Sequence, residues 1–170
     1  MRAAITLVLG GARSGKTRHA LGLAEALPGP LRYIATAEAL DGEMAERIAR
    51  HRAERGPRWT TLEAPLDLAG ALAQAGGPAL VDCLTLWLSN LMLAGRDVDA
   101  EAEHLVAALR AAAHPVILVS NEVGLGIVPD NALAREFRDR AGRLNQAVAA
   151  AAGRVVFIAA GLPLVLKGDG

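Results

Sequence analysis

Residues Ile5 to Thr17 are ITLVLGGARSGKT, an apolar run that leads directly into a glycine-rich turn. The run from Ile5 to Leu9 has the length and composition of a buried strand. The turn GGARSGKT matches G-x-x-x-x-G-K-[ST], the phosphate-binding P-loop, whose backbone N–H groups surround phosphate oxygens. The helix expected after the turn points the positive end of its dipole at the same anion. This stretch predicts a site for a nucleoside triphosphate, with a ligand-free glycine turn as the alternative.

Two side chains of the turn have expected chemical roles. Lys16 is predicted to contact the β- and γ-phosphates, and the Thr17 hydroxyl is predicted to bind Mg²⁺. The glycines allow the backbone to curl closely around the phosphates. The predicted nucleotide-binding residues of the turn are Gly10, Gly11, Ala12, Arg13, Ser14, Gly15, Lys16 and Thr17.

The composition limits the class of protein. A chain of 170 residues is the size of one domain, so a single nucleotide-binding domain is predicted over residues 1–170. Eighteen basic residues balance 18 acidic ones and aromatics make up 3%, which argues against a nucleic-acid partner. The lone Cys83 excludes an internal disulfide and favours a reducing compartment. The apolar runs are too short to span a membrane, so a cytoplasmic location is expected.

Strand patterns alternate with helical patterns along the chain. The strand at 115–120 is so apolar that it should lie in the centre of the sheet. The run 162–167 follows Gly161 so closely that it can return only as an antiparallel edge strand. We predict an α/β fold of the P-loop, RecA-like type: three layers, a mostly parallel sheet with helices on both faces, and an antiparallel C-terminal edge strand. The other strands are expected at 31–36, 59–63, 79–82 and 154–159, and helices after the P-loop, at 41–55, 65–75, 84–93 and 97–113, and along Leu133 to Val148.

Polar residues at the predicted strand ends mark the expected site, because ligands of such sheets collect at the carboxyl ends of the strands. Asp82 closes an apolar strand and is predicted to hold Mg²⁺, directly or through water. The alternative for Asp82 is to cap the next helix. Asn121 and Glu122 follow the most apolar strand and precede two glycines, which indicates either a loop shaped around the site or a plain turn.

His51 is set apart from the other three histidines by its spacing. Met44, Ile48 and His51 stand at i, i+4 and i+7, so they share one face of an otherwise charged helix. Spacing alone predicts a packed, hydrogen-bonded histidine at this position. Solvated or packed roles account for His19, His104 and His114.

Several motifs together give the sequence a specific resemblance. From residue 5 to 167 it is similar to the bifunctional adenosylcobinamide kinase and adenosylcobinamide-phosphate guanylyltransferase family of cobalamin biosynthesis. A P-loop alone is common to many families, whereas the glycine-containing motif after residue 120 and the helix histidine are specific in combination. The resemblance rests on GGARSGKT, YIAT, DGEMAERI with the histidine three residues on, WTTLEAP, VDCLTLWLSNLML, NEVGLGIVP and REFRD.

The resemblance implies two reactions. The amino-alcohol hydroxyl of adenosylcobinamide is phosphorylated by ATP or GTP. GTP then guanylylates a histidine with release of pyrophosphate, and GMP passes to the phosphorylated corrinoid to give adenosylcobinamide-GDP. The family's guanylylated histidine falls on His51, with Lys16 as the second catalytic residue. A neutral imidazole is a good nucleophile near pH 7, since its free pKa is about 6.5.

The resemblance also suggests further contacts to the guanosine and an assembly. Glu63 is expected to accept hydrogen bonds from guanine or ribose, with a helix-capping acid as the alternative. Where some members carry a second histidine before the nucleophile, this chain has Arg50, so His51 is the one candidate on that helix. A homotrimer is implied by the resemblance. The full set of suggested guanosine contacts is Ile34, Ala35, Thr36, Glu63 and Asp82.

Rival functions remain open from the residues alone. A GTPase switch would need an N-K-x-D motif, which the sequence lacks. A plain small-molecule kinase or a RecA-like ATPase would use Lys16, Thr17 and Asp82 but would leave His51 without a task. A nucleotide-binding module without catalysis is the third alternative.

Overall fold

The computed structural model describes residues 3–38, 42, 45–46, 49 and 55–168. The segment predicted as a helix over 41–55 includes Met44, Ile48 and His51, and these three residues lie outside the described part of the chain.

The described residues form one seven-stranded sheet with the order β3-β2-β4-β5-β1-β6-β7. All neighbouring strands are parallel except β6 and β7, which pair antiparallel at one edge. The apolar strand β5 is fourth of the seven, so its predicted central place is confirmed. The strands are β1 (Ile5–Gly10), β2 (Leu31–Ala35), β3 (Trp59–Glu63), β4 (Ala79–Asp82), β5 (Val116–Asn121), β6 (Arg154–Ala159) and β7 (Leu162–Lys167).

Helices cover both faces of the sheet, as predicted. One face packs on α1 through a core that contains Val8, Ala20 and Val119. The other face carries a larger core with residues from the remaining helices, among them Leu88 and Leu144. The helices with bounds in the described residues are α1 (Lys16–Glu25), α2 (Leu68–Gln74), α3 (Leu84–Leu93), α4 (Val98–Ala111) and α5 (Ala132–Ala151).

Some boundaries differ from the prediction for identifiable reasons. Helix α2 begins at Leu68 rather than near residue 65, because Asp67 is its N-cap and accepts a hydrogen bond from the Gly70 N–H. Leu133 does not join the buried stripe of α5: it is 63% exposed, whereas Ala141 and Val148 are buried. The edge strand β7 also has apolar side chains exposed to solvent, including Leu164.

Within the described residues, no helix has both the length and the apolar character needed to cross a membrane.

Candidate active site

The P-loop joins β1 to α1 at the carboxyl edge of the sheet, and it requires glycine at one position for backbone conformation and at another for space. Gly15 has φ 94° and is the N-cap of α1, which starts at Lys16. A Cβ added at Gly10 would lie 2.4 Å from Ser14 Oγ and 2.8 Å from the Ile158 carbonyl oxygen. A side chain at Gly10 would therefore push the loop off β6, and one at Gly15 would strain the turn into the helix.

Contacts from two neighbouring strand ends brace the loop. The Gly161 N–H donates to the Ser14 carbonyl at 2.8 Å, and the Glu122 N–H donates to the Gly10 carbonyl at 3.0 Å. Lys16 is 9% exposed, and its ammonium donates to the Gly11 carbonyl at 2.9 Å, which places the positive charge inside the curl. The loop thus presents a cation and a helix N-terminus together, an arrangement suited to a polyphosphate.

The strand register places the other predicted site residues in a row across the sheet. Val8 of β1 pairs with Val119, Val119 with Asp82, Asp82 with Ala35, and Ala35 with Glu63. At about 4.8 Å per strand, Asp82 stands about 10 Å and Glu63 about 19 Å from β1. The row therefore extends from the P-loop strand to the far edge of the sheet.

Asp82 lies on the sheet face that carries α1, since it alternates with Val81 of the opposite core. Its carboxylate is half-buried, and Oδ2 accepts a hydrogen bond of 2.7 Å from the Tyr33 hydroxyl. The N-cap of α3 is Cys83, and no side-chain hydrogen bond caps that helix. The capping alternative for Asp82 is therefore wrong.

The donor set suits Mg²⁺ bound together with a nucleotide. The Thr17 hydroxyl is in the first turn of α1, and the Asp82 carboxylate is on the same face of the sheet. Both supply oxygen, which is the donor that Mg²⁺ prefers, and Mg²⁺ in such sites uses one or two protein ligands with phosphates and water. The described residues contain no cluster of three His, Cys, Asp or Glu that would hold a metal without a nucleotide.

Thr36 connects the ends of β2 and β4. It is fully buried, its hydroxyl donates to the Cys83 carbonyl and accepts from the Cys83 N–H at 2.8 Å each, and Asn90 Nδ2 donates to its carbonyl at 2.8 Å. Ile34 is also fully buried, in the core opposite Asp82. Ala35 shares the face of Asp82. The guanosine contacts suggested for Ile34 and Thr36 stay a prediction.

Glu63 ends β3 and is exposed. The residue that caps the following helix is Asp67, so the capping alternative for Glu63 is not what the structure has. The carboxylate of Glu63 is left at the sheet edge, in line with Ala35 and Asp82. This position suits a contact to the nucleoside end of a triphosphate held at the P-loop.

Asn121 and Glu122 begin a loop that is fixed to the P-loop by the Glu122 backbone. The Asn121 N–H and side-chain amide donate to Thr85 Oγ1 at 2.7 and 3.1 Å. The Glu122 carboxylate accepts from the Gly124 N–H at 2.6 Å, so this side chain shapes its own turn. The loop beyond it exposes apolar side chains, among them Leu125 at 81% and Ile127 at 98%.

Cys83 is a small buried side chain with a free thiol. It is 6% exposed, and burial raises the pKa of its thiol, with a further contribution from the adjacent Asp82 carboxylate. Burial, followed by the same carboxylate, also raises the pKa of Tyr33. Tyr33 was missed as a site residue, because only the strand order shows that β2 lies next to β4.

Comparison with known proteins identifies the family. A model of the family described as cobinamide kinase / cobinamide phosphate guanyltransferase matches residues 6–166. The chain is 53% identical over 168 residues to the bifunctional adenosylcobalamin biosynthesis protein CobP of Pseudomonas aeruginosa, covering 96% of this chain and 97% of that protein. It is 42% identical over 179 residues to the CobU protein of Salmonella typhimurium with the same description, covering 95% and 98%. The chain belongs to the cobinamide kinase / cobinamide phosphate guanyltransferase family.

Membership of the cobinamide kinase / cobinamide phosphate guanyltransferase family makes the chain an enzyme with kinase and guanylyltransferase activity. Among solved structures, a protein from Pyrococcus horikoshii OT3 matches with a TM-score of 0.53 at 11% identity, covering 100% of this chain and 89% of that one. At that identity the likeness concerns the fold alone. The family resemblance seen in the sequence and the α/β fold with a mostly parallel sheet are both confirmed.

Proposed function

We propose that this enzyme phosphorylates the amino-alcohol hydroxyl of adenosylcobinamide and then transfers GMP from GTP to the product through a guanylyl-histidine at His51. The final products are adenosylcobinamide-GDP and pyrophosphate, in cobalamin biosynthesis. The observation that carries the proposal is the row of strand ends that extends from the P-loop to Glu63. The description of the family names both a kinase and a guanyltransferase reaction. Such a row can hold the triphosphate at one end and the nucleoside at the other.

The kinase step uses the P-loop end of the row. Lys16 and the backbone N–H groups of the loop hold the β- and γ-phosphates, and they favour the charge that develops as the terminal phosphoryl group moves to the acceptor oxygen. Thr17 and Asp82 would hold Mg²⁺, which when bound neutralises phosphate charge. The apolar side chains around Ile127 lie on the loop after β5, whose Glu122 N–H bonds to the Gly10 carbonyl of the P-loop, and this loop is proposed to meet the acceptor.

The guanylyl step needs a nucleophile at the α-phosphorus. In the proposed step the lone pair of a neutral His51 nitrogen forms the N–P bond, and the bond from that phosphorus to the bridging oxygen of pyrophosphate breaks. A phosphate oxygen of the phosphorylated corrinoid then attacks the same phosphorus, and the imidazole leaves. Two displacements replace one transfer between two bulky anions, and pyrophosphate leaves from a loop that already stabilises its charge.

The nucleoside is placed at the other end of the row. The exposed Glu63 carboxylate is an acceptor for the guanine amino and imino groups or for ribose hydroxyls. Ala35, on the same face between Asp82 and Glu63, has a small side chain that leaves room for the sugar. Asn121 and Glu122 shape the loop beside the phosphates and are proposed to border the acceptor side. ATP and GTP are both proposed donors for the kinase step, and GTP is the donor of GMP.

The experiment compares product profiles of the wild type and His51→Ala with adenosylcobinamide, GTP and Mg²⁺. We expect the variant to make cobinamide phosphate and no GDP-cobinamide, because the P-loop does not need the imidazole. With GTP labelled at the α-phosphorus, the wild type should take up acid-labile, base-stable label and the variant none. His104→Ala, an exposed histidine on α4, is the matched control and should behave as wild type. Equal labelling of the His51→Ala protein would mean that His51 is not the nucleophile, and absence of label on the wild type would leave a plain kinase or a RecA-like ATPase as the function.

We also propose the assembly and the setting. The family resemblance supports a homotrimer, for which the mass in solution, measured by light scattering, is the decisive quantity. The length supports one nucleotide-binding domain over residues 1–170, and the single cysteine among 170 residues supports a reducing compartment such as the cytoplasm.

A further inference from the structure

Tyr33 lies in the middle of β2 and reaches diagonally across to the end of β4. Its backbone pairs with Leu80, two residues before Asp82, on the face that carries α1. The side chain leans toward the carboxyl edge of the sheet, where its hydroxyl donates to Asp82 Oδ2 at 2.7 Å. The residue is 7% exposed, so this hydrogen bond to a carboxylate is shielded from water. One oxygen of Asp82 is thereby held, and the rotamer of the carboxylate is fixed.

The ring of Tyr33 makes a second polar contact on its face. The Arg55 guanidinium lies 3.6 Å from the ring centroid, within the range of a cation–π contact. Arg55 also donates to Thr61 Oγ1 on β3 at 3.2 Å. Trp59 and Tyr33 pack edge to face, with centroids 6.1 Å apart and an interplanar angle of 77°. The ring is therefore held from β3 and by Arg55, and its hydroxyl cannot swing away from Asp82 without breaking these contacts.

The hydroxyl and the ring of Tyr33 thus have different contacts: the hydroxyl bonds to Asp82, and the ring is held by Arg55 and Trp59. Asp82 is the carboxylate proposed for the Mg²⁺ and phosphate region. Resting on the function proposed above, we propose that Tyr33 is a positioning residue that orients Asp82 toward the metal.

A merely packed aromatic ring would not need the hydroxyl. Phenylalanine fills the same ring position, keeps the contacts to Trp59 and Arg55, and removes only the donor to Asp82. Tyr33→Phe therefore tests the link to Asp82 while the ring stays in place.

The first measurement is the affinity of Mn²⁺, as a spectroscopic substitute for Mg²⁺, for the enzyme–GTP complex, followed by electron paramagnetic resonance with enzyme in excess over GTP. We expect Tyr33→Phe to weaken Mn²⁺ binding about 10-fold, because the Asp82 carboxylate is then no longer held in one rotamer and must be ordered when Mn²⁺ binds. The affinity for GTP in the presence of EDTA should be unchanged. Wild-type Mn²⁺ affinity in Tyr33→Phe would overturn the link to Asp82.

The second measurement is the rate at which α-labelled GTP labels the protein at saturating Mg²⁺, and it separates this proposal from the one on which it rests. Tyr33→Phe should label at the wild-type rate. If the wild type itself takes no label, the guanylyl-histidine proposal fails, and the Mn²⁺ titration still decides the role of Tyr33.

Ser120→Ala is the control for simple destabilisation. Ser120 is 2% exposed and donates to Asn145 Oδ1 at 2.7 Å, a buried hydroxyl hydrogen bond like that of Tyr33 but on the opposite face of the sheet. We expect this variant to lower the free energy of unfolding and to leave Mn²⁺ affinity at the wild-type value. Equal loss of Mn²⁺ affinity in Ser120→Ala and Tyr33→Phe would mean that loosening of the fold, and not positioning of Asp82, is responsible, and would overturn the proposal.

Discussion

At the scale of single residues, the two glycines at the ends of the P-loop have different physical roles. Gly15 supplies a positive φ of 94° at the helix N-cap. Gly10 supplies space, because Ser14 and the end of β6 approach it more closely than any Cβ would allow. Arg13 also has a positive φ, of 54°, without being glycine. The curl of the loop thus requires glycine at one end because the neighbouring atoms leave no room for a Cβ, and at the other end because the backbone has a positive φ.

The crowding at Gly10 predicts the effect of adding one methyl group. Gly10→Ala should lower the free energy of unfolding by about 1–3 kcal/mol, the usual cost of overpacking, and should weaken GTP binding because the loop must shift away from β6. Urea unfolding and GTP titration would measure the two effects.

Gly11→Ala is the matched control for Gly10→Ala. No atom lies within 4 Å of a Cβ added at Gly11, and its φ is not in the left-handed region. Its unfolding free energy should stay within about 0.5 kcal/mol of wild type, as for surface changes. If the two variants unfolded at the same urea concentration, crowding at Gly10 would not be the reason for the glycine.

At the scale of strands and helices, the local sequence was enough to predict the bounds of an element wherever turn residues flank it. The bounds of β3, β4, β6, β7 and α3 agree with those predicted from the sequence. The predicted place of Leu133 in the buried stripe of α5 was wrong, because periodicity does not show where a helix extends beyond the sheet on which it packs. Helix α5 has 20 residues and is about 30 Å long, whereas the six-residue β5 spans about 20 Å, so one end of the helix projects into solvent.

Pairings between distant elements could not be predicted from local patterns. The apolar alternation of β2 places Tyr33 on a buried face, yet only the order β2-β4 puts its hydroxyl beside Asp82. The same holds for Thr85 in α3, whose hydroxyl accepts from the Asn121 N–H at the end of β5. Asp82 and the P-loop could be named as candidate site residues from the sequence, because a motif or a strand end marks each of them.

The overhanging first turn of α5 makes its cap important. The Asn131 side chain accepts a hydrogen bond of 2.7 Å from the Ala134 N–H, and Leu133 in the same turn packs little against the core. Asn131→Ala should therefore lower the free energy of unfolding by about 1 kcal/mol, within the usual range of 0.5–2 kcal/mol for lost N-caps. Chemical denaturation would measure it.

The neighbouring Asp130 gives the control for the cap. It is exposed, and its backbone carbonyl accepts from Arg135, a contact that truncation of the side chain leaves in place. Asp130→Ala should leave the unfolding free energy within about 0.5 kcal/mol of wild type. A larger effect at Asp130 than at Asn131 would contradict the capping argument.

At the scale of the whole molecule, the site is a property of the sheet more than of any one element. Residues from β1, β2, β3, β4 and β5 meet at one edge, and the P-loop is braced by the ends of β5 and β6. A ligand that touches several strand ends is bound only when the sheet is assembled. Binding energy at this edge is consequently coupled to the stability of the entire fold.

This coupling predicts that GTP with Mg²⁺ raises the melting temperature. A ligand that binds only the folded state at 100 times its dissociation constant adds about 2.7 kcal/mol, which for a chain of this size raises Tm by about 5–11 °C. Lys16→Ala should lose most of that shift, because the ammonium inside the loop is removed, whereas His104→Ala should keep it. Differential scanning calorimetry at fixed GTP concentration measures the shift for all three proteins. A full shift in Lys16→Ala would mean that the nucleotide is held elsewhere, since a triphosphate bound in this loop should lose affinity when the positive charge at its centre is removed.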